Sequence, residues 1–113
     1  MEALYDLLHP DCVFISPVVH TPQEGREITY AYLRAANKAL SEDFQYVREV
    51  VQDNHAVLEF TVKVDGIFVN GVDIITFEGD QIVELKVMVR PLKAVNAVWK
   101  QMGEMLEQLK VAS

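Results

Sequence analysis

The sequence predicts an α+β domain in which helices pack against one face of a curved antiparallel sheet. Three observations lead to this prediction. Four β-prone segments lie between residues 44 and 89 and are joined by short turns, which is typical of an antiparallel meander. Helical patterns lie on both sides of this meander. The 113 residues, 50% of them hydrophobic, suffice for one domain, residues 1–113, with its own core.

The first third of the chain predicts two helices separated by a short strand. Residues 3–8 form a helical turn that ends at His9-Pro10, because proline removes a backbone donor. Residues 12–15 form a short apolar strand, and Ser16-Pro17 then turns the chain. Residues 26–40 place apolar side chains at three- and four-residue spacing, which predicts a helix.

The meander segments differ in how regularly polar and apolar residues alternate. They are residues 44–51, 56–64, 67–77 and 82–89. The second and fourth alternate cleanly, whereas the first alternates only loosely. Asp65-Gly66 between the second and third is a strong hairpin signal. Residues 94–110 then carry the apolar stripe of an amphipathic helix.

The third meander segment is apolar on both faces except at Asn70, Asp73 and Thr76. A strand of this kind must be covered on both sides. The helices cover one side of the sheet, and three small helices are too few to cover the other. We therefore expect a homodimer through the outer face of the sheet.

Composition excludes several classes of function. The net charge of −7, without a basic run, disfavours nucleic acid as a partner. No apolar run approaches the ~20 residues of a membrane span. The single cysteine, Cys12, forms no internal disulfide, and the N-terminus lacks a signal-like pattern, so we expect a cytoplasmic protein. Scattered histidines and the absence of a glycine-rich phosphate motif predict neither a metal site nor a cofactor.

Asp73 is the strongest functional candidate, because it lies in an apolar strand between residues expected to be buried. An ionised carboxylate is costly in such a site, so its pKa should rise unless it is paired. A group of this kind can act as an acid or as a hydrogen-bond donor. The alternative is that Asp73 lies near a sheet edge or pairs with a Lys or Arg.

Two parts of the sequence resemble SnoaL-like proteins of the nuclear transport factor 2 (NTF2) superfamily. One is residues 11–17 with Gly25 and the helix that follows; the other is residues 71–77 with the next turn and strand. The resemblance spans about residues 4 to 98. It implies a conical α+β barrel with an apolar pocket, usually dimeric through the sheet. Family members usually begin with a longer helix, so the resemblance implies a more open pocket here, or a gap filled by another chain.

The resemblance also assigns roles to individual residues. In the ketosteroid isomerases of this superfamily, an acid matching Asp73 donates a hydrogen bond to the developing oxyanion, beside a tyrosine and a separate aspartate base. Ser16 occupies the position of that base, and a serine needs another base to activate it. The tyrosine belongs to the longer first helix. The resemblance therefore argues against steroid isomerase activity.

His20 is the second candidate, in a loop that this fold places near the mouth of the cone. Histidine titrates near neutrality and could serve as a base. The alternative is a surface histidine or one that anchors the backbone. If the protein is an enzyme, Asp73 and His20 are the expected acid–base pair, in a cofactor-independent isomerase, dehydratase or hydrolase.

We favour a binding module whose pocket holds a small hydrophobic molecule, with Asp73 as its polar anchor. The alternatives are this acid–base enzyme and a purely structural role with the pocket closed. The residues expected to contact the ligand are Ser16, Val69, Gly71, Ile75, Leu85, Val87 and Val89, with Tyr32 and Trp99 from the helices.

Overall fold

The computed structural model describes residues 2–17 and 21–112, and the side chains of residues 4–17 and 21–104. In chain order the elements are α1 (Glu2–Leu7), β1 (Leu8–Ile15), β2 (Gln23–Glu24), α2 (Arg26–Ala39), β3 (Glu42–Gln52), β4 (His55–Val64), β5 (Ile67–Glu78), β6 (Gln81–Arg90) and α3 (Leu92–Ala112). The predicted order of helices around a strand meander is confirmed.

The strands form one curved sheet in the order β2-β1-β6-β5-β4-β3. Strands β3 to β6 form the predicted antiparallel meander. Strand β1 pairs with β6 in parallel, so the sheet is mixed rather than antiparallel throughout. The hairpin turns that predict antiparallel pairing join only neighbouring strands from β3 to β6. Along the sequence, helix α2 and most of the other strands lie between β1 and β6. No single turn therefore determines the relative direction of these two strands.

Strand β1 begins at Leu8, four residues earlier than the sequence predicts, and α1 ends at Leu7. Pro10 therefore lies inside a strand rather than at the end of a helix. The pairing of β1 with β6 is irregular between Leu8 and Val13. Proline is compatible with this irregular stretch because it has no backbone N–H to donate to the ladder.

The start of α2 is fixed to β1 by hydrogen bonds. The backbone N–H of Gly25 donates to the Cys12 carbonyl at 2.8 Å, and Nε of Arg26 donates to the Leu8 carbonyl at 2.9 Å. Thr29 is fully buried, and its hydroxyl donates to the Gly25 carbonyl at 2.8 Å. These bonds set the direction in which α2 crosses the sheet.

Helix α3 is fixed to the opposite end of the sheet by the β4–β5 hairpin. Asp65 and Gly66 have φ angles of 52° and 76°, as a tight two-residue turn requires. The side-chain amide of Gln101 donates to both carboxylate oxygens of Asp65, at 3.0 and 2.9 Å. The predicted turn thus also holds α3 over the sheet.

Two separate hydrophobic clusters lie on the face of the sheet that α2 and α3 cover, which we call the inner face. The larger cluster includes Phe60, Val62 and Val69 from the sheet with Ala35, Ala94, Val98 and Met102 from the helices. The smaller cluster consists of Leu8, Cys12, Phe14, Ile82 and Leu85. Tyr32 packs against both clusters and so connects the two cores.

A chain of polar side chains crosses the opposite, outer face of the sheet. Arg48 forms an ion pair with Glu59 at 3.4 Å. The amide of Asn70 donates to Glu59 at 3.0 Å, and Arg90 donates to the oxygen of Asn70 at 3.3 Å. Because these residues belong to β3, β4, β5 and β6, their polar contacts link four neighbouring strands. Apolar side chains of Val57, Val72 and Met88 lie beside these polar residues and line a shallow groove with them.

Within the described residues, no helix is long and apolar enough to span a membrane.

Candidate functional site

A cavity of about 550 Å³ lies between the inner face of the sheet and helices α2 and α3. The cavity wall includes Phe60 and Met102 of the larger hydrophobic cluster and Phe14 and Leu85 of the smaller one. Most lining side chains are hydrophobic or aromatic. The lining residues with polar side-chain oxygens are Ser16, Tyr32, Asn37, Ser41, Tyr46 and Asp73. This is the usual character of a ligand site, an apolar cavity with a few polar groups.

Asp73 lies in the wall of this cavity, in the middle of the sheet. On β5 it is directly opposite Leu58 of β4 and Val87 of β6. Since β5 has a hydrogen-bonded strand on each side, Asp73 is not at a sheet edge. Within the described part of the chain, no Lys or Arg forms an ion pair with its carboxylate. The interpretation of Asp73 as an edge residue or half of an ion pair is therefore not supported.

Burial raises the pKa of the Asp73 carboxyl from 3.8 to about 6. The cause is burial, which removes water from around the charged carboxylate. The neighbouring apolar side chains do not replace the lost hydration. A carboxyl with this pKa changes its protonation state close to neutral pH. It can therefore donate a hydrogen bond when protonated and accept one when ionised.

Tyr46 of β3 is another titratable residue that lines the cavity with Asp73. Partial burial raises the pKa of the Tyr46 phenol, and the negative charges of Asp73 and Glu49 raise it further. The phenol therefore stays protonated and available as a donor. Tyr46 is 52% exposed, and its ring packs edge-on against that of Phe44 with the centroids 5.0 Å apart.

Tyr46 was not among the site residues expected from the sequence, because a β-bulge in β3 interrupts the alternation that would indicate its face. Tyr46 pairs with Phe60, but Arg48 pairs with Glu59, so Val47 is an extra residue with no partner of its own. Strict alternation would place Tyr46 and Glu49 on opposite faces. The bulge places both on the inner face, in line with Phe60 and Leu58. Two aromatic residues at alternating positions, Phe44 and Tyr46, were the signal that could have indicated this face.

Seven of the residues expected from the sequence to form the site do line the cavity. They are Asp73, Ser16, Tyr32, Leu85, Val87, Val89 and Trp99. Trp99 is 61% exposed although it is an apolar position of α3, which places it at the cavity's edge. Ser16 lies on the same wall as Phe14 and Pro17. His20, expected as the partner of Asp73, lies outside the described residues.

Three other expected residues share the inner face but do not line the cavity. Val69 is fully buried in the larger cluster, and Ile75 packs against the smaller one. Gly71 lies under the ring of Phe60: a Cβ at this position would be 2.4 Å from Cζ of that ring. Gly71 therefore contributes by making room for Phe60, whose ring forms part of the cavity wall.

No set of three or more His, Cys, Asp or Glu side chains is arranged to hold a metal ion in the part of the chain that the structure describes. Cys12 is buried in the smaller cluster.

A curved sheet that encloses an apolar cavity with two helices, and that presents one acid from a central strand, defines a cone-shaped α+β protein of the NTF2 type. The family of SnoaL-like domains matches residues 1–85. The chain belongs to this family, and with it to the NTF2-like superfamily. The resemblance stated from the sequence is thereby confirmed.

Similar solved structures support this assignment. A steroid delta-isomerase from Pseudomonas aeruginosa is 36% identical, with a TM-score of 0.91, over 98% of this chain and 82% of that one. A bacterial protein with a cystatin-like fold from Silicibacter pomeroyi is 32% identical, with a TM-score of 0.85, over 91% of this chain and 73% of that one. An NTF2-like protein from Burkholderia xenovorans, at 19% identity, shows the fold alone, with a TM-score of 0.66 over 84% of this chain and 77% of that one. Comparison with curated proteins finds no significant match.

Replacing Asp73 with asparagine tests whether its carboxylate is buried without compensation. The native carboxyl has a pKa of about 6, against an ordinary aspartate pKa of 3.8 in the unfolded chain, so the native state binds more protons than the unfolded state between these pH values. Stability therefore falls as the pH rises through this window. We expect Asp73→Asn to be more stable than the wild type above about pH 7, by about 1–3 kcal/mol, with the difference vanishing below about pH 4.

Equilibrium urea unfolding of both proteins across this pH range, at one protein concentration, measures the difference. The matched control is Asp80→Asn in the exposed β5–β6 turn, which removes the same charge and should change the unfolding free energy by less than about 0.5 kcal/mol. A wild type as stable as Asp73→Asn at neutral pH would contradict the prediction.

Proposed function

We propose that the chain binds a small hydrophobic molecule in the cavity, with Asp73 as the polar anchor. The observation that carries the proposal is a carboxyl group in the wall of an otherwise mainly apolar cavity, without a charged partner among the described residues. The volume of about 550 Å³ lies in the range of small-molecule sites. The apolar wall supplies most of the contact area, and Asp73 supplies orientation.

Filling the cavity beside Asp73 tests this proposal. Val87 lines the cavity opposite Asp73, and its neighbour Met88 lies on the outer face and is 49% exposed. We expect Val87→Phe to weaken binding of the neutral apolar dye Nile red by about tenfold or more, because the larger side chain occupies the cavity. Fluorescence titration measures the affinity.

Met88→Phe is the matched control, since it adds an aromatic ring one residue away on the opposite face. Its dye affinity should stay within about threefold of the wild type. Far-UV circular dichroism of both variants checks that the sheet has formed. Equal dye binding by all three folded proteins would refute binding in this cavity.

The second candidate function is acid-assisted isomerisation, and the 36% identity to a steroid delta-isomerase favours it. A carboxyl group with a pKa of about 6 is suited to proton donation near neutral pH. Isomerisation also requires a base that moves the proton between carbons. Ser16, which lines the cavity, occupies the position where the family resemblance places that base.

An assay with a β,γ-unsaturated ketosteroid, followed by the absorbance of the conjugated product, distinguishes the two candidates. We expect the wild type to show only the buffer rate, because Ser16 is no carboxylate base. Ser16→Asp supplies one and should raise the rate by on the order of 10²-fold if it faces the same substrate as Asp73. Wild-type turnover that Asp73→Asn abolishes would establish the isomerase instead.

We further propose that two copies associate through the outer face of the sheet. Exposed Val50 and Met88, at 50% and 49%, flank the half-buried Val57 and Val72 on this face. Exposed apolar side chains grouped beside polar ones are typical of an interface. In a symmetric dimer, the same patch of each copy would cover that of the other.

Sedimentation equilibrium at micromolar concentration should give a mass near twice that of the chain. Met88→Glu should shift the population to monomer, because it places a charge within the apolar contact. Leu92→Glu, at a 74% exposed apolar residue at the start of α3, is the control and should leave the dimer intact. A monomeric wild type would exclude this interface.

A further inference from the structure

We propose that the cavity is selective for a hydrophobic organic amine, whose ammonium group lies against Asp73 while its apolar body fills the aromatic wall. This inference rests on the proposed function, binding of a small molecule in the cavity. It adds the charge of the ligand.

The charges around the cavity are the first support. Of the described residues that line it, none is a lysine, arginine or histidine, and Asp73 is an acid. Glu49 lies in the same row of the sheet, opposite Leu58, which in turn is opposite Asp73. With these two carboxylates and no basic residue among the described lining residues, the cavity is unfavourable for an anionic ligand and favourable for a cation.

The basic residues of the same strands lie on the outer face. Arg48 is paired with Glu59 there at 3.4 Å, and Arg90 donates to Asn70 at 3.3 Å. The register places Lys86 opposite Ile74, one residue out of step with Asp73 and Val87. The described cations of these strands thus lie on one side of the sheet, and Asp73 lies on the other.

The aromatic rings near Asp73 are the second support. Phe60 stacks on Phe44 with centroids 5.3 Å apart, and Tyr46 packs edge-on against Phe44. All three rings line the cavity that contains the Asp73 carboxylate. The negative faces of aromatic rings attract ammonium groups, and a carboxylate beside them supplies the counter-charge. The same rings give the apolar part of the ligand a surface to pack against.

The protonation state of Asp73 is the third support. With a pKa of about 6, the carboxyl is mostly ionised at pH 7. A ligand that only accepts hydrogen bonds requires Asp73 to be protonated, and the free energy needed to protonate it opposes binding at this pH. An ammonium group binds the ionised form directly and provides the partner that the described residues do not.

Three probes with one naphthyl body and different polar groups test the inference by isothermal titration calorimetry. They are naphthylethylamine, naphthylethanol and naphthylacetate, which are cationic, neutral and anionic at pH 7. We expect the amine to bind about tenfold tighter than the alcohol and the acetate to bind weakest, because only the amine gains a charge-assisted bond to Asp73.

Asp73→Asn should abolish the preference for the amine while the alcohol's affinity stays within about threefold. Asp80→Asn is the matched control: it removes the same charge from the exposed β5–β6 turn, outside the cavity, and should change amine binding by less than about threefold. In the wild type, the amine's affinity should fall as the pH falls through about 6, as Asp73 is protonated. Besides Asp73, the described ionisable residues that line the cavity are Tyr46 of β3 and Tyr32 of α2, and Glu49 of β3 lies in the same row of the sheet. Leu58 of β4, Val87 of β6 and the described lining residues of α3 carry no charge.

The outcomes separate this inference from the proposed function. Tightest binding of the alcohol or the acetate overturns the amine preference but leaves a ligand-binding cavity. An amine preference that persists in Asp73→Asn overturns the role of Asp73. Binding of none of the three probes to the folded protein contradicts both proposals.

Discussion

The mismatch between a curved sheet and straight helices is the constraint on which the rest of the structure depends. Helices α2 and α3 cover the inner face, but the hydrophobic side chains gather in two clusters rather than one. Tyr32 contacts both clusters, and the cavity lies where they face each other. A flat sheet could pack against two helices as one continuous layer. Curvature leaves a space between the helices and the central strands instead, and the central strand β5 carries the acid.

Local irregularities then decide which side chains reach this space. The bulge at Val47 directs both Tyr46 and Glu49 toward the inner face. At Gly71, the missing side chain lets the Phe60 ring lie over the backbone of β5. Both features change the cavity wall without changing the strand order. The character of the site therefore depends on single residues in otherwise regular strands.

The sequence predicts the helices and the meander strands well, because strand and helix periodicities are local properties of the sequence. In this protein the tertiary packing agrees with those local preferences. The sequence also singled out Asp73, since one acid among apolar residues contrasts with its own neighbours. The parallel pairing of β1 with β6 is a long-range property that no turn encodes. Alternation assigns Val69 and Ile75 to the inner face correctly, but it does not say where along a strand the core ends and the cavity begins. Tyr46 was missed because a bulge changes the phase of the alternation.

The position of Asp73 itself favours binding over a role in packing. An ionised carboxylate in this wall opposes folding, and an apolar residue of similar size would fit the inner face without that cost. Groups that oppose folding are expected where function requires them. Catalysis would also require a base that accepts a proton at the reacting carbon, and neither the Ser16 hydroxyl nor the phenols of the described wall is such a base without activation. Binding requires only that the ligand supply the partner that Asp73 lacks among the described residues. The absence of a described partner therefore disfavours a catalyst, and it supports a receptor for a molecule with a small polar group on an apolar body.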